Sequence, residues 1–252
     1  MAQSTKIIEI DVADRCIFGT VVAPEQSSPG VLFVHGWGGN QQGDLQHARE
    51  ISALGCACLT FDLRGHASTD LMRENITRED SLRDVLAAYD RLAALPAVDQ
   101  SAIAVVGSSY GAYLASIVTS MRAVRWLALR APAIYQDADW TLPKRLLNRA
   151  EQKAYRRRLL PTDDNRALRA CAEFCGDALV VESQHDEIMP HPVIMSYIAA
   201  FRQVRSITYR MIDGADHALD DEACRQAYGS LLVGWITEMV LGARKGGGQG
   251  PA

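Results

Sequence analysis

Residues 101–116 read SAIAVVGSSYGAYLAS, and this stretch decides the fold of the chain. Its apolar run from Ile103 to Val106, rich in β-branched residues, is typical of a strand that is buried on both faces. A turn of glycine and serine follows, and then a run of alanine and larger apolar residues that favours a helix. The sequence therefore predicts a buried strand, a tight turn and a helix, with Ser109 at the turn.

The turn has the spacing G-x-S-x-G from Gly107 to Gly111. In this pattern small residues flank a serine that occupies a strained backbone conformation at the start of a helix. The free N–H groups of the helix N-terminus stabilise negative charge, which a serine nucleophile requires when it attacks a carbonyl. The same residues also fit an ordinary turn between a strand and a helix, so the motif alone leaves both interpretations open.

The composition of the chain argues against several classes of function. Its 252 residues carry a formal net charge of −4, so nothing in the charge favours binding to nucleic acid or to an anionic membrane. No stretch approaches the length of about 18 apolar residues that spans a bilayer. The first residues, MAQSTKIIEIDV, have no apolar core of signal-peptide type. We therefore expect a cytoplasmic protein that binds neither nucleic acid nor membrane.

The six cysteines of the chain are spaced in a way that argues against a metal site. Cys56 and Cys58 alternate within an apparent strand, while Cys171 and Cys175 are one helical turn apart. Neither pair belongs to a C-x-x-C motif or to a set of Cys and His at zinc spacing. We interpret these pairs as buried thiols that serve packing, and we expect no bound metal.

Strands and helices alternate along most of the chain. An antiparallel hairpin is predicted first, then two strand and helix repeats and the Ser109 unit. A further strand is predicted at 126–130, the alternation resumes with strands at 178–182 and 206–212, and a helix at 221–240 follows. Such alternation indicates a parallel, doubly wound sheet with right-handed crossovers.

One segment interrupts this alternation, because no strand is predicted between residues 133 and 176. It contains a basic helical stretch at 144–160. Between Lys144 and Arg169 there are nine Lys and Arg residues and three Asp and Glu residues. The segment is expected to cover the carboxyl edge of the sheet, where ligands bind in this class of fold. Its charge either favours an anionic part of a substrate or belongs to a solvated helix face. We divide the chain into a core domain (1–132 and 177–241), a helical lid (133–176) and a disordered, glycine-rich tail (242–252).

Polar loops follow several of the predicted strands. HGWGG (35–39) and DLRGHAS (62–68) come directly after two of them, and Asp186 and His217 each lie just past a later strand. Because the carboxyl ends of parallel strands meet at one edge of a sheet, we expect these two residues to share a site with Ser109. The charged residues of 62–68 favour a loop held by internal hydrogen bonds and an Asp–Arg pair over a catalytic role. The glycines of 35–39 form either a flexible loop or half of an oxyanion hole.

With these motifs in this order, the chain resembles the α/β-hydrolase fold family over roughly residues 6–240. The matching pieces are HGWGG (35–39), DLRGHAS (62–68), GSSYG (107–111), HDEIMP (185–190) and GADHAL (214–219). The resemblance implies a doubly wound, mostly parallel sheet of eight strands, with helices on both faces and a short helical lid. It favours the serine esterase branch, similar to feruloyl-esterase-like and peptidase-like hydrolases.

The resemblance also implies a role for each site residue. Ser109 is expected to attack the acyl carbon, His217 to accept and return its proton, and Asp186 to hold the imidazole and stabilise its charged form. The backbone N–H groups of Trp37 and Tyr110 are expected to form the oxyanion hole. The reaction passes through an acyl-enzyme and requires no metal or cofactor.

Several reactions remain compatible with these residues. The leading interpretation is hydrolysis of a small-molecule carboxylic ester with a small to medium acyl group, by a monomer or homodimer. Thioesterase, amidase or peptidase, and carbon–carbon hydrolase activity use the same triad and differ in pocket shape. Haloalkane dehalogenases and dienelactone hydrolases place Asp and Cys at the nucleophile position, so Ser109 argues against both. A receptor that keeps the fold but turns over little is the alternative from another class.

Overall fold

A computed structural model describes residues 3–13, 15–24 and 28–246 of the chain. The strands of this part are β1 (Gln3–Val12), β2 (Arg15–Pro24), β3 (Ser28–Val34), β4 (Ala57–Phe61), β5 (Val98–Ser108), β6 (Trp126–Arg130), β7 (Asp177–Ser183) and β8 (Ser206–Ile212). Its α-helices are α1 (Gln42–Ala53), α2 (Arg78–Ala93), α3 (Tyr110–Val118), α4 (Arg149–Arg156), α5 (Arg166–Glu173), α6 (His191–Ala200) and α7 (Glu222–Gly246).

The strands form one sheet in the order β1-β2-β4-β3-β5-β6-β7-β8. The pairs β1–β2 and β2–β4 are antiparallel, and all other neighbours are parallel. This confirms the predicted doubly wound, mostly parallel sheet of eight strands. The chain leaves β3 toward β4 on one side and returns to β5 on the other, so the strand order reverses between β3 and β5. The loops after these two strands therefore border the crevice where ligands bind in open α/β sheets.

Helices cover both faces of the sheet, and an apolar cluster fills each interface. One cluster joins the sheet to α2, α3, α5 and α6, and the other joins it to α1 and α7. Every residue of β4, β6 and β7 is buried as a consequence. Burial on both faces explains why these strands read as apolar runs without alternation.

The segment 133–176 contains no strand, as predicted, but its basic stretch at 144–160 is not one continuous helix. A short 3-10 turn, Lys144–Leu146, is followed by the separate helix α4. The Asn148 side chain accepts hydrogen bonds from the first backbone N–H groups of α4 and so starts a new helix there. A second 3-10 segment, Ala67–Asn75, has no counterpart in the sequence analysis.

The last helix is longer than predicted. Helix α7 runs to Gly246, so residues 242–246 continue it, whereas the sequence analysis placed them in the disordered tail. Once a helix has formed, each added residue gains a hydrogen bond at little further cost, which explains the extension. The rest of that tail, 247–252, lies outside the described residues. No helix in the described part of the chain combines the length and the apolar character needed to cross a bilayer.

Candidate active site

Ser109 occupies a sharp turn between β5 and α3. Its φ of 51° and ψ of −112° lie in a region that residues with a side chain rarely adopt. Backbone hydrogen bonds hold this conformation: Ser109 N donates to Arg130 O at 2.8 Å, and Ser109 O accepts from Ala133 N at 3.0 Å and from Tyr113 N at 3.1 Å. The surrounding structure therefore fixes a strained serine at the N-terminus of α3.

Gly107 and Gly111 make this turn possible. A Cβ atom at Gly111 would lie 2.0 Å from Val34 O and 2.5 Å from His35 O, and one at Gly107 would lie 2.6 Å from Ala112 Cα. No side chain fits at either position, because α3 packs directly on the ends of β3 and β5. Close packing at this turn therefore requires glycine at both ends of G-x-S-x-G.

The structure brings Ser109, Asp186 and His217 together from the loops after β5, β7 and β8. Ser109 Oγ lies 2.9 Å from His217 Nε2, and His217 Nδ1 lies 2.6 Å from Asp186 Oδ2. The Asp186 side chain is 2% exposed and that of His217 is 18% exposed. A buried carboxylate at Nδ1 favours the tautomer with its proton there, which leaves the lone pair of Nε2 toward the Ser109 hydroxyl.

Asp186 is itself fixed by the backbone around it. Its Oδ1 accepts hydrogen bonds from Ile188 N at 2.8 Å and from Met189 N at 2.7 Å. His185 N donates to Ala215 O at 2.8 Å, which ties this loop to the one that carries His217. One carboxylate oxygen is therefore held by the loop, and the other is free to bind the imidazole.

Arg130 also fixes the His217 loop, and the sequence analysis missed it. This last residue of β6 donates from Nη1 to His217 O at 2.9 Å and from Nε to Ser108 Oγ at 3.3 Å. Its guanidinium lies 5.8 Å from the centroid of the Tyr228 ring. The available signal was a charged residue at the carboxyl end of an apolar strand, where ligands bind in such sheets.

The HGWGG loop runs alongside Ser109. A Cβ atom at Gly36 would lie 3.4 Å from Ser109 Cβ, and the Trp37 ring packs edge-on against the Tyr110 ring at 5.2 Å between centroids. Tyr110 is the first residue of α3, so its N–H is one of those that a helix leaves without an intrahelical partner. Trp37 and Tyr110 therefore both lie close to the serine, where the sequence analysis expects the oxyanion hole.

Hydrogen bonds tie this loop to residues 62–68. Leu63 N donates to His35 Nε2 at 3.1 Å, and the backbone N and the side-chain Nε2 of Gln41 both donate to the Asp62 carboxylate at 2.8 Å. These contacts agree with the structural interpretation of DLRGHAS. These hydrogen bonds anchor His35, the first residue of HGWGG, and Gln41, which lies two residues past its last glycine.

The sequence predicts an Asp–Arg pair within DLRGHAS, but in the structure Arg64 pairs with Asp84, which lies outside this motif. Arg64 Nε lies 2.8 Å from Asp84 Oδ1 and its backbone N donates to Asp84 Oδ2 at 2.9 Å, whereas Asp62 binds Gln41. Asp84 is on α2, far along the chain, which is why sequence spacing did not reveal it. The pair holds this loop against α2.

Burial also keeps the two histidines of these loops neutral near pH 7. It lowers the pKa of His66 to about 4, with a further contribution from His35, and it lowers the pKa of His35 as well. The His66 ring packs edge-on against Trp37 at 4.9 Å. Both imidazoles therefore act as uncharged packing and hydrogen-bonding groups.

A cavity of about 1080 Å³ opens beside the serine. It is lined by Ser109, His217 and Arg130, and by side chains of α1 and α7, among them Asp44 and Tyr228. Burial raises the pKa of Asp44 to about 7, and the positive charge of Arg130 opposes this shift. The site therefore has room for a substrate and contains a carboxyl group that is partly protonated at neutral pH.

In the described part of the chain, no group of three or more His, Cys, Asp or Glu side chains converges as metal ligands do. Four of the six cysteines, at positions 56, 58, 171 and 224, are buried thiols outside any disulfide, whereas Cys175 is exposed, unlike its expected role in packing. None of them lines the cavity beside Ser109.

Among curated proteins, the chain is similar to the mitochondrial palmitoyl-protein thioesterase ABHD10 of Pongo abelii. The two are 33% identical over 132 residues, which are 50% of this chain and 41% of the relative. The alignment thus covers less than half of the relative, and the thioesterase activity in its name describes the relative.

Solved structures share the fold over almost the whole chain. The acylaminoacyl peptidase of Pyrococcus horikoshii superposes with a TM-score of 0.71 at 15% identity, covering 95% of this chain and 42% of the peptidase. Est1E of Butyrivibrio proteoclasticus, solved with ferulic acid, gives a TM-score of 0.69 at 19% identity, covering 93% and 98%. At these identities the likeness concerns the fold alone. The sequence profile of the α/β hydrolase family, however, matches residues 31–236. The chain therefore belongs to the α/β hydrolase family.

Proposed function

We propose that this hydrolase cleaves carboxylic esters with a small to medium acyl group, through a triad of Ser109, His217 and Asp186. The observation that carries the proposal is the hydrogen-bonded path from Ser109 Oγ to His217 Nε2, 2.9 Å, and from His217 Nδ1 to Asp186 Oδ2, 2.6 Å. A serine hydroxyl is a weak nucleophile alone and requires such a base. Membership of a hydrolase family supports the reaction class.

In the first half of the reaction, Ser109 Oγ attacks the carbonyl carbon of the ester and His217 Nε2 takes its proton. The carbonyl oxygen becomes negative and accepts hydrogen bonds from the N–H groups of Trp37 and Tyr110, each donor being worth about 3 kcal/mol. Asp186 stabilises the imidazolium. The intermediate then expels the alcohol, which receives the proton from His217, and the acyl group stays on Ser109.

In the second half, water attacks the acyl carbon and His217 takes a proton from it. The same two N–H groups stabilise the second oxyanion. Collapse of this intermediate releases the carboxylic acid and returns the proton to Ser109 Oγ. Because Arg130 binds the His217 carbonyl and Asp186 binds the ring, the imidazole keeps one position throughout both halves.

The test is steady-state hydrolysis of p-nitrophenyl esters from acetate to decanoate by the wild type and by Ser109→Ala. Ser120→Ala, an exposed serine just past the end of α3, is the control. We expect many turnovers per site for the wild type and the control, and a loss of at least about 10⁴-fold in kcat for Ser109→Ala. Equal rates in all three proteins, or a single turnover per site, contradict the proposal.

Thioester hydrolysis is the second candidate, since the relative that matches half of this chain is named a palmitoyl-protein thioesterase. An oxygen ester and a thioester of the same acid give the same acyl-enzyme, so they differ only in the first half of the reaction. We therefore compare kcat/KM for ethyl and S-ethyl octanoate, each divided by its rate with hydroxide. If the normalised kcat/KM of the ester divided by that of the thioester is near one or above, the ester is the favoured substrate. A quotient well below one favours the thioester.

A further inference from the structure

Three cationic side chains, two from the lid and one from α2, converge on one aromatic ring. Arg78 Cζ lies 5.1 Å, Arg156 Cζ 5.2 Å and Lys144 Nζ 5.8 Å from the centroid of Tyr135. They come from three elements, the start of α2, the end of α4 and the 3-10 turn at Lys144–Leu146. We call Arg78, Lys144 and Arg156 the cationic cluster.

The cationic cluster reaches the candidate active site through Lys144. Its Nζ lies 4.1 Å from the centroid of the Trp37 ring and 4.8 Å from that of Tyr110. Trp37 and Tyr110 are the two residues whose N–H groups we assign to the oxyanion hole. A group bound to Lys144 is therefore close to the reacting carbonyl.

The arginines of the cationic cluster have unused hydrogen-bonding capacity. Arg78 is 1% exposed, and among the described residues it finds a hydrogen-bond acceptor at Nη1 alone, Gln136 O at 3.0 Å, while the buried Nε and Nη2 have none. Among the same residues the buried Nε of Arg156 has no acceptor, although the guanidinium is hydrogen-bonded to the Tyr135 side chain. A buried guanidinium in this state is costly for the fold, because it has lost water and gained no acceptor.

The neighbouring carboxylates are already paired with other arginines. Asp80 and Asp84 bind Arg64, and Asp137 binds Arg166 and Arg169. Within the part of the chain that the structure describes, no carboxylate forms an ion pair with the cationic cluster. Its positive charge is therefore not neutralised by the protein.

The aromatic rings compensate this charge only in part. A cation over an aromatic ring gains less stabilisation than a buried counter-ion provides. Burial, together with the positive charges of Arg156 and Arg78, holds the pKa of Lys144 well below its usual range. An anion placed among these groups would restore the charged lysine and fill the free positions on the guanidinium groups.

We propose that the cationic cluster binds an anionic oxygen group of the substrate, such as a carboxylate, so that the preferred ester carries a negative charge near its scissile bond. The proposal rests on the proposed function. The free N–H groups of Arg78 and Arg156 match the oxygens of such an anion, and Lys144 adds a single charge on the side of the oxyanion hole. The anion belongs either to the acyl part or to the leaving group, and the experiment separates the two.

The experiment compares matched pairs of esters that differ in one charge. Monomethyl adipate against methyl hexanoate places the charge on the acyl side, and 4-acetoxybenzoate against 4-methylphenyl acetate places it on the leaving-group side. For one of the two pairs, we expect the wild type to prefer the anionic member by about tenfold or more in kcat/KM. Lys144→Gln is expected to remove most of this preference, and Lys144→Arg to retain it. Lys153→Gln, an exposed residue of α4, is the control and keeps the wild-type preference.

A preference for the neutral member in both pairs, or an anionic preference that Lys144→Gln leaves unchanged, overturns the proposal.

Binding gives a readout that is independent of turnover: by calorimetry, Ser109→Ala is expected to bind monomethyl adipate or 4-acetoxybenzoate more tightly than the neutral partner. Turnover of neutral esters without any anionic preference contradicts this inference alone. Selective binding of the anion without hydrolysis of any ester contradicts the proposed function alone. Absence of selective binding together with absence of turnover contradicts both.

Discussion

Two short hydrogen bonds connect Ser109, His217 and Asp186, and each has its own task. The bond at Nε2 allows proton transfer, whereas the bond at Nδ1 sets the tautomer and orientation of the ring. The two oxygens of the Asp186 carboxylate have different partners. Oδ1 accepts hydrogen bonds from the backbone of its own loop, and Oδ2 binds the imidazole.

Asp186→Asn separates the structural from the chemical task of this residue. The amide oxygen still accepts from Ile188 N and Met189 N, so we expect the thermal midpoint to change little. The amide NH₂ would then face His217 Nδ1 and favour the wrong tautomer, and we expect kcat to fall by about 10⁴-fold. Ester kinetics and a thermal melt check both parts. A large loss of stability, or retention of most activity, would show that the carboxylate has another role.

Arg130→Met tests whether the contact at the His217 carbonyl positions the imidazole. Loss of one charged hydrogen bond is worth about 1.5–3 kcal/mol, so we expect kcat to fall by about 10- to 100-fold with little change in KM. Arg130→Lys is expected to recover part of the loss. Arg122→Met, which removes an exposed ion pair with Asp90, is the control. A change confined to KM contradicts a positioning role and indicates a contact with substrate.

G-x-S-x-G located Ser109, and Asp186 and His217 were expected beside it because each lies just past a predicted parallel strand; the structure brings the three side chains together. Arg130 and the partner of Arg64 were not predicted, because each acts on a residue many positions away in the chain. The positive charge of the lid was visible in the sequence, but the contact of Lys144 and Arg156 with the ring of Tyr135 was not. The packing of buried Arg78 and half-buried Lys144 around Tyr135 distinguishes this cluster from a solvated helix face.

At the level of elements, the contact of α3 with β3 sets the shape of the turn at Ser109. Gly111→Ala would place a Cβ atom 2.0 Å from Val34 O, in contact with backbone that cannot move without displacing β3. We expect a large loss of stability and of ester hydrolysis, measured by thermal melts and kinetics. Gly234→Ala is the matched control: it lies within α7 with nothing within 4 Å, and we expect it to stabilise the protein by about 0.5–1 kcal/mol. A Gly111→Ala variant as stable as the wild type would contradict the packing at this turn.

The strands predicted at 126–130, 178–182 and 206–212 agree with β6, β7 and β8 to within one residue, because the apolar pattern of a strand is local. The lid was less predictable. Its stretch at 144–160 has helical composition, but the Asn148 cap and the preceding 3-10 turn divide it. The length of α7 was also missed, since helix extension past Val240 depends on an already formed helix and not on a distinct motif.

At the level of the whole molecule, the half-buried carboxyl of Asp44 connects stability to pH. Its ordinary pKa is 3.8 and burial raises it to about 7, so the folded protein binds more protons than the unfolded chain between these values. Stability therefore falls as pH rises through this window. For Asp44→Asn we expect a higher thermal midpoint than the wild type at pH 8. The increase is about 2–4 °C for each kcal/mol of destabilisation that the ionised Asp44 causes, and it shrinks toward pH 4. Exposed Asp11→Asn is the control. A difference that does not vary with pH contradicts the shift.

The order of strand and helix signals was sufficient to predict the doubly wound sheet, because right-handed crossovers leave few other arrangements. The oligomeric state, the cytoplasmic location and the binding of a small-molecule ester stay predictions, since they depend on surfaces and partners that the order of elements does not determine. The division into core, lid and tail likewise stays a prediction, apart from residues 242–246, which belong to α7.

The most direct test of the central claim is covalent labelling with a fluorophosphonate, which reacts with an activated serine and leaves inactive serines unmodified. The wild-type protein is incubated with the reagent, and intact mass and peptide mass spectrometry locate the adduct. We predict one adduct per chain, on Ser109, formed in parallel with the loss of ester hydrolysis, with no adduct on Ser109→Ala and much slower labelling of His217→Gln. Labelling at another serine, or an unlabelled wild type that hydrolyses esters, would contradict the assignment of Ser109 as the nucleophile.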